Sequence, residues 1–420
     1  MLRFVFADLA TRRWGAAALV VIIALATGLG VMVTLQERAL RLGSARAAAA
    51  FDLVIGAPGS ETQLVLSSVF LQAAPLTLMS GSVLAKLAAD PRVAYAAPVG
   101  FGDFVGDHPI VGTTLDLVSG LGGVTEGRGF EKLGEAVIGA KVETALGQQI
   151  QPMHGHAEEG GEAHAGVSYR VVGRLAASGT PWDRAVLVPI EAVWRVHGQG
   201  LPDHDHEEGH EHEAHESEEG HGHAGGSDLD DPLRPEAIFD AQAPGVPAIL
   251  VKPRGIAEAY KLRQEYRAAP TMAVFPAEVL TRLYGTMGDA RRILAMVAAG
   301  AQALVGAAIL LVITVEVLQR RRQIGALRAF GAPRRAIFAL VWVEAFVLLL
   351  AGLLGGFALG YGGSLALARG LERTGGIDLP VVFEAADAVY GLTLLGVGAL
   401  FALLPAALAY RQSPLAALRG

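Results

Sequence analysis

The chain has 420 residues, 52% of them hydrophobic and 18% charged, with 53 glycines and no cysteine, and its mean hydropathy is +0.41. Soluble globular domains carry about 25% charge, so this balance argues against an ordinary soluble single-domain enzyme and points to a membrane protein or one very large core; the missing Cys excludes disulfide frameworks and thiolate zinc sites. The net charge of −7 is local: two tracts, 151–166 and 203–223, hold twelve acidic residues and no Lys or Arg, and without those acids the balance is +5.

Crossing a hydrocarbon core takes about 20 apolar residues in helix, and four uncharged runs of that length occur. The first, 14–35, follows a basic N-terminus, 1–13, that contains Arg3, Arg12 and Arg13. It is longer than the roughly 7–15 residues of a signal h-region and lacks an A-x-A-like end, so it reads as a retained span. Residues 36–292 are too many for a loop and predict a folded domain. Within them 51–55, 93–99, 167–175 and 248–251 read as strands, and 82–89, part of 136–146, 191–197 and 256–268 as helices, an α+β pattern. An amphipathic run at 276–288 leads into the second span, 293–315, as a helical stalk, with 36–46 as its counterpart after the first span. A loop at 316–336 precedes the third span, 337–368, whose uncharged run is 345–368. The segment 369–387 separates this from the fourth span, 388–410, and 411–420 form the tail. Glu344 lies near the start of the third span, where snorkelling or pairing with a loop arginine is favoured over a transport role.

Basic segments resist translocation, which orients the spans. Arginines crowd 1–13, the 316–336 loop and the tail, whereas 369–387 carries Arg369 and Arg373 against Glu372, Asp378, Glu384 and Asp387. The expected fold class is therefore membrane α-helical: four transmembrane helices, both termini cytoplasmic, and an α+β extracytoplasmic domain inserted between spans one and two.

The loop reads QRRRQIGALRAFGAPRR from Gln319 to Arg335, a short basic amphipathic helix broken at Gly331 and Pro333. Such a segment cannot span; it lies at the membrane surface or docks on a partner, unless it is simply a solvated positive-inside loop. Its RRRxIGxLRAxGAxRR pattern resembles the loop between the second and third spans of FtsX-like permeases. PAALAYRQSPLAALRG, Pro405 to Gly420, resembles the tail of that family, and AVIGAKVETAL with Gly147 resembles a segment of the periplasmic core domain of MacB-like transporters. This resemblance implies a homodimeric permease subunit of an ABC transporter in a bacterial inner membrane, with a separate cytoplasmic ATPase docking on the loop and its motion carried to the periplasmic domain. The ATPase-coupling role it implies falls on Arg322, Ile324, Gly325, Leu327, Arg328, Gly331, Arg334 and Arg335. ATP would be bound by the partner alone, because no G-x-x-x-x-G-K-[ST] loop occurs; GAPGSETQ, Gly56 to Gln63, lacks the Lys and reads without a helix start.

Ten of the twelve histidines lie in the two tracts: His154, His156 and His164 in the first, and His204, His206, His210, His212, His215, His221 and His223 in the second. A stretch so charged has nothing to bury and should be disordered without ligand. Imidazoles alternating with carboxylates suit borderline divalent ions such as Zn, Ni or Cu, at several interchangeable sites; the competing reading is a solvated acidic linker. Gln148 to Ile150 leads straight into the first tract, so the insertion replaces or extends a hairpin, and both tracts should leave from the same end of a β unit.

No catalytic constellation rises above chance. Ser67, Ser68 and Ser178 have no partnered His, His108 and His197 read as isolated, and the protein is expected to be neither an enzyme nor a nucleic-acid binder. No tightly bound cofactor is expected beyond zinc or another divalent metal in the tracts. The function expected is that of an ABC permease subunit transmitting ATP-driven motion, connected with divalent metal handling and a periplasmic accessory protein. The alternatives are a metal-responsive signalling scaffold that controls a periplasmic partner such as a cell-wall hydrolase, and efflux of a peptide, lipoprotein or antibiotic.

Overall fold

The computed structural model describes the chain except for residues 1–4, 6–8, 12, 73, 102, 155–161, 164–165, 200–228, 284, 286–295, 297–298, 301–302, 304–306, 308–330, 376–377 and 412–420. It divides into a helical unit, Met1–Leu42 with Thr286–Leu371 and Leu379–Gly420, and an α+β unit, Gly43–Gly285 with Glu372–Asp378.

Helix α1 runs without a break from Arg13 to Ala47. At about 1.5 Å per residue its 35 residues span about 50 Å, some 20 Å more than a hydrocarbon core needs, because no proline interrupts the sequence after the apolar run ends.

In the α+β unit the chain passes through β1 (Leu53–Gly56), α2 (Glu61–Phe70), α3 (Gly81–Ala88), β2 (Val93–Val99), β3 (Asp103–Val105), β4 (His108–Thr113), α4 (Leu115–Gly120), β5 (Val124–Gly127) and β6 (Glu135–Ile138). It continues through β7 (Gln149–Ile150), β8 (Met153–His154), β9 (Glu162–Ala163), β10 (Tyr169–Leu175), a 3-10 turn (Pro181–Arg184), β11 (Val186–Pro189), α5 (Ile190–Val196), α6 (Pro235–Ile238), β12 (Ala248–Pro253), α7 (Ile256–Tyr266) and β13 (Met272–Val274). Residues 276–283 are helical.

The strands form two sheets, one in the order β13-β1-β12-β2 and a larger one in the order β5-β10-β6-β11-β4-β3-β8-β9, with β7 added beside β10. The first is antiparallel throughout; the second contains two parallel pairs, β10 with β6 and β11 with β4. Alternate residues of each strand enter different cores. Val54 and Leu250 join one cluster, together with Val137, Leu187 and Trp182. Leu53, Ile55, Ile249 and Val251 pack with Leu84 of α3, Trp194 of α5 and Leu262 of α7. Ile138, Val186 and Val188 face a third cluster with Tyr169. Sheets covered on both faces need strands that are apolar at every position, which is why LVIG, AILV and VLVP read as continuous runs and not as alternations.

One expected helix is absent. Residues 136–146 contain strand β6 and then an irregular loop, because Val137 and Ile138 face opposite cores and Gly139 lies directly on backbone. A Cβ there would come within 2.3 Å of the Asp183 carbonyl oxygen. Tertiary pairing outweighs the weak helical spacing of Ala136, Ala140 and Glu143. Arg174 holds the loop by donating to the carbonyls of Val142 and Thr144 at 2.7 and 2.8 Å.

The helical unit also contains α8 (Arg334–Gly375), α9 (Ala385–Phe401) and α10 (Leu403–Arg411). Three helices among the described residues are long and apolar enough to cross a membrane, Arg13–Ala47, Arg334–Arg373 and Ala385–Ala407; the expected span at 293–315 lies largely outside those residues. The fourth expected span is not one regular helix. It breaks at Ala402 because Pro405 has no N–H for the Phe401 carbonyl, and Trp342 Nε1 donates to the Ala399 carbonyl at 3.0 Å beside the break. Gly352, Gly356, Gly360 and Ser364 recur every fourth residue on α8 and let it approach α1 closely. A Cβ on Gly360 would lie 2.7 Å from the Gly28 carbonyl oxygen, and one on Gly356 2.9 Å from that of Ala24. Small residues at this spacing are how helices pack in lipid, where close van der Waals contact replaces the hydrophobic drive.

Arg38 on α1 is buried in the same unit. It forks onto Asp387 with bonds of 2.7 and 3.1 Å, donates to the Val382 carbonyl at 2.8 Å and lies 3.2 Å from Glu384. Asp387 also accepts from the Glu384 backbone at 2.8 Å, closing a capping box on α9.

Candidate metal centre

Strand β3 begins at Asp103, and the antiparallel ladder sets it directly opposite His154 of β8. Helix α5 follows β11, which is paired with β4, the neighbour of β3, and ends with His197 as its C-cap. The three side chains converge. His154 Nδ1 is 3.3 Å from Asp103 Oδ1, His197 Nε2 is 3.8 Å from the same oxygen, and the imidazole centroids are 5.8 Å apart. One ligand atom from each residue lies within 4.8 Å of the others.

The carboxylate is buried and both rings are exposed. His197 Nδ1 lies 2.8 Å from the Val193 carbonyl oxygen one turn back, so Nδ1 carries a proton for that acceptor and Nε2 is the nitrogen on the Asp103 side. The Tyr169 phenol, fully buried and with no hydrogen-bond partner among the described residues, is pushed up by its burial and then by the charge of Asp103. Two imidazole nitrogens on exposed residues and an oxygen of a buried carboxylate make a donor set for a borderline divalent ion.

His197 is thus not isolated, as its sequence surroundings suggested. It and Asp103 are the residues that sequence reasoning missed, since nothing local to either signals the other. His108 also has neighbours, the Arg184 carbonyl 3.1 Å from Nδ1 and Asp107 3.6 Å from Nε2. Of the ten tract histidines only His154 is among the described residues; His156, His164, His204, His206, His210, His212, His215, His221 and His223 lie outside them. The first tract opens in a hairpin, β8 pairing antiparallel with β9.

GAPGSETQ does have a helix start, contrary to the sequence reading. It joins β1 to α2, with Ser60 as N-cap accepting from the Gln63 amide at 3.3 Å. The loop still lacks a Lys, and Glu61 occupies the first turn, where a phosphate would sit on a helix N-terminus; Glu61 pairs instead with Arg282 at 2.8 Å. Ser178 serves a turn: it donates to Asp183 Oδ1 at 2.7 Å.

Of the expected coupling residues, Gly331, Arg334 and Arg335 are described, and Arg322, Ile324, Gly325, Leu327 and Arg328 lie outside the described residues. Gly331 has φ +91, the left-handed backbone that favours glycine, and α8 starts three residues later. The Arg334 guanidinium lies 6.0 Å from the Tyr410 ring centroid. Glu344 is half-buried on α8.

Residues Glu372–Asp378, which follow the third apolar stretch, are part of the α+β unit. Lys141 bonds Glu372 at 2.6 Å, Arg46 bonds Asp378 at 2.9 Å, and the Asp378 amide donates to the Gly179 carbonyl at 3.1 Å.

No curated protein matches the chain. Among solved structures, it is similar to the periplasmic region of MacB from Actinobacillus actinomycetemcomitans, at 10% identity over 56% of this chain and 95% of that one with a TM-score of 0.31. It is also similar to the extracellular domain of the noncanonic ABC-type transporter YknZ from Gram-positive bacteria, at 11% identity over 53% of this chain and 98% of that one with a TM-score of 0.30. Residues 295–415 match the family described as FtsX-like permease C-terminal. The likeness to FtsX-like permeases therefore rests on this C-terminal region of the chain.

Proposed function

We propose that the protein is the membrane subunit of an FtsX/MacB-type ABC transporter, passing the motion of a separate cytoplasmic ATPase to a periplasmic α+β domain, in the service of divalent metal handling, zinc above all. It works as a homodimer in the inner membrane with both termini cytoplasmic, and a periplasmic metal-binding protein is its accessory.

One observation carries the mechanical part: the membrane-spanning chain enters the α+β unit at two separate places. Helix α1 reaches Ala47, a member of the α+β core, without a break that would absorb a displacement. The segment that follows the third apolar stretch is tied to that unit through Glu372 and Asp378. In this reading the two connections are the routes by which motion of the spans reaches the domain. The metal part is supported by the concentration of ten of twelve histidines in two tracts and by the ligand cluster at the head of the first.

The test is a reconstituted complex with the ATPase. Leu327→Asp and Gly331→Val are expected to lower ATPase stimulation severalfold while insertion is kept. At Gly331 an added Cβ meets nothing within 4 Å, so the cost lies in the backbone, about 1–2 kcal/mol for a side chain in the left-handed region. Undiminished stimulation in both variants refutes the coupling role of this loop.

A further inference from the structure

We propose that Asp103, His154 and His197 form a discrete site for one divalent cation of the zinc type, which fastens the β8–β9 hairpin to the end of α5. The proposal rests on the reading that this protein handles divalent metal, and it narrows that reading to three residues distant in sequence.

Distances come first. Zinc held at 2.0–2.1 Å by nitrogen and oxygen has tetrahedral edges of about 3.3 Å between ligand atoms. The His154–Asp103 edge is already 3.3 Å and the His197–Asp103 edge 3.8 Å, and the edge between the two imidazoles lies within 4.8 Å, so closure brings the two rings together by at most about 1.5 Å. Orientation is also supplied. The Val193 carbonyl takes the Nδ1 proton of His197, the outer-shell bond that fixes the tautomer of metal-binding histidines. Nε2, the ring's other nitrogen, is the one on the Asp103 side.

The chemistry selects the ion. Calcium and magnesium require shells of oxygen, and two imidazoles do not provide one; zinc, nickel, cobalt and copper accept this set. Burial of Asp103 beside exposed rings leaves the outward side of the site open, so a fourth position is available to water or an exchanging ligand. His154 is the first histidine of the first tract, and His197 stands six residues ahead of Asp203, the first residue of the second. A single ion here would therefore hold together the two points from which the His-rich segments leave.

The experiment uses the full chain in detergent and a variant in which every tract histidine except His154 is replaced by Ser. Zn²⁺ is titrated against a chromophoric chelator, and Co²⁺ is followed by its ligand-field spectrum. The Ser variant is expected to keep one ion per chain in four-coordinate geometry. Adding His197→Ala or Asp103→Asn should weaken that ion by about 100-fold or more, beyond the 10–100-fold typical of losing an outer-shell partner. His197 is exposed, so its replacement leaves the fold intact, and circular dichroism checks this for Asp103→Asn. A Ser variant that takes up no stoichiometric ion, or affinity unaltered by both substitutions, overturns the proposal. The two readings fail separately: several ions in the unaltered chain but none in the Ser variant removes this site and keeps the tracts. One ion in both, lost with His197→Ala, keeps this site and removes the tracts.

Discussion

Asp183 is the most exacting single test of how the Glu372–Asp378 segment is received. Its carboxylate is buried and accepts three bonds, from the Ser178 amide at 2.8 Å, the Ser178 hydroxyl at 2.7 Å and the Gly179 amide at 2.8 Å. These shape the turn at Gly179, where φ is +69, and the carbonyl of that residue receives the Asp378 amide. Asp183→Ala strands two backbone donors. Bonds to a charged acceptor contribute about 1.5–3 kcal/mol each, and with half-buried donors that water partly re-satisfies, the expected loss is about 3 kcal/mol. Asp183→Asn keeps one acceptor oxygen but turns an NH₂ toward a donor, for a loss of about half that. Urea unfolding of the detergent-solubilised chain measures this through Trp182, which is fully buried next door. With an m-value of about 3 kcal/mol per molar, the Ala variant should lose about 1 M in midpoint. Amide exchange at Asp378 should quicken in parallel. Midpoints within about 0.2 M of wild type for both variants, or an Asp378 amide as protected as before, would show that the carboxylate does not build this turn.

Further outcomes follow from the helical unit and from titration. Gly360→Leu should force α1 and α8 apart and cost about 1–3 kcal/mol of overpacking, read as a lower melting temperature in detergent; Gly362→Leu, where an added Cβ meets nothing within 4 Å, is the matched control and should be near neutral. Asp387→Ala leaves the buried Arg38 guanidinium without its fork and should cost about 3–5 kcal/mol. The double variant Arg38→Leu/Asp387→Ala should recover part of that, and no recovery would contradict the pairing. Asp90 is held below the ordinary carboxylate range by its hydrogen bonds to Arg92, so its contribution is complete above the unfolded value, about 3.9, and is lost as the pH falls through the lowered folded one. Wild type should therefore be more stable than Asp90→Asn at pH 7, and the gap should close below about pH 4. A gap that stays constant down to pH 2 would argue against it.

Much of this molecule is local and therefore legible in its amino acids. Apolar stretches long enough for lipid, the strand at Val93–Val99 and the β-rich unit between the tracts all follow from hydrophobic runs and turn residues, because burial on a strand or helix repeats with the backbone period. Residues 136–146 show the limit: alanines at helical spacing became strand β6 because two sheet neighbours and two cores compete for Val137 and Ile138. The GAPGSETQ loop was legible but missed: Ser60 caps the helix through the Gln63 amide three residues on, a local signal. Asp103, His154 and His197 show the limit most clearly. Histidine enrichment marked the tracts, but which imidazole meets a buried carboxylate depends on the β3–β8 register and on where α5 ends. Those are set by which strands pair across the larger sheet, a matter of non-local packing that no window along the chain contains.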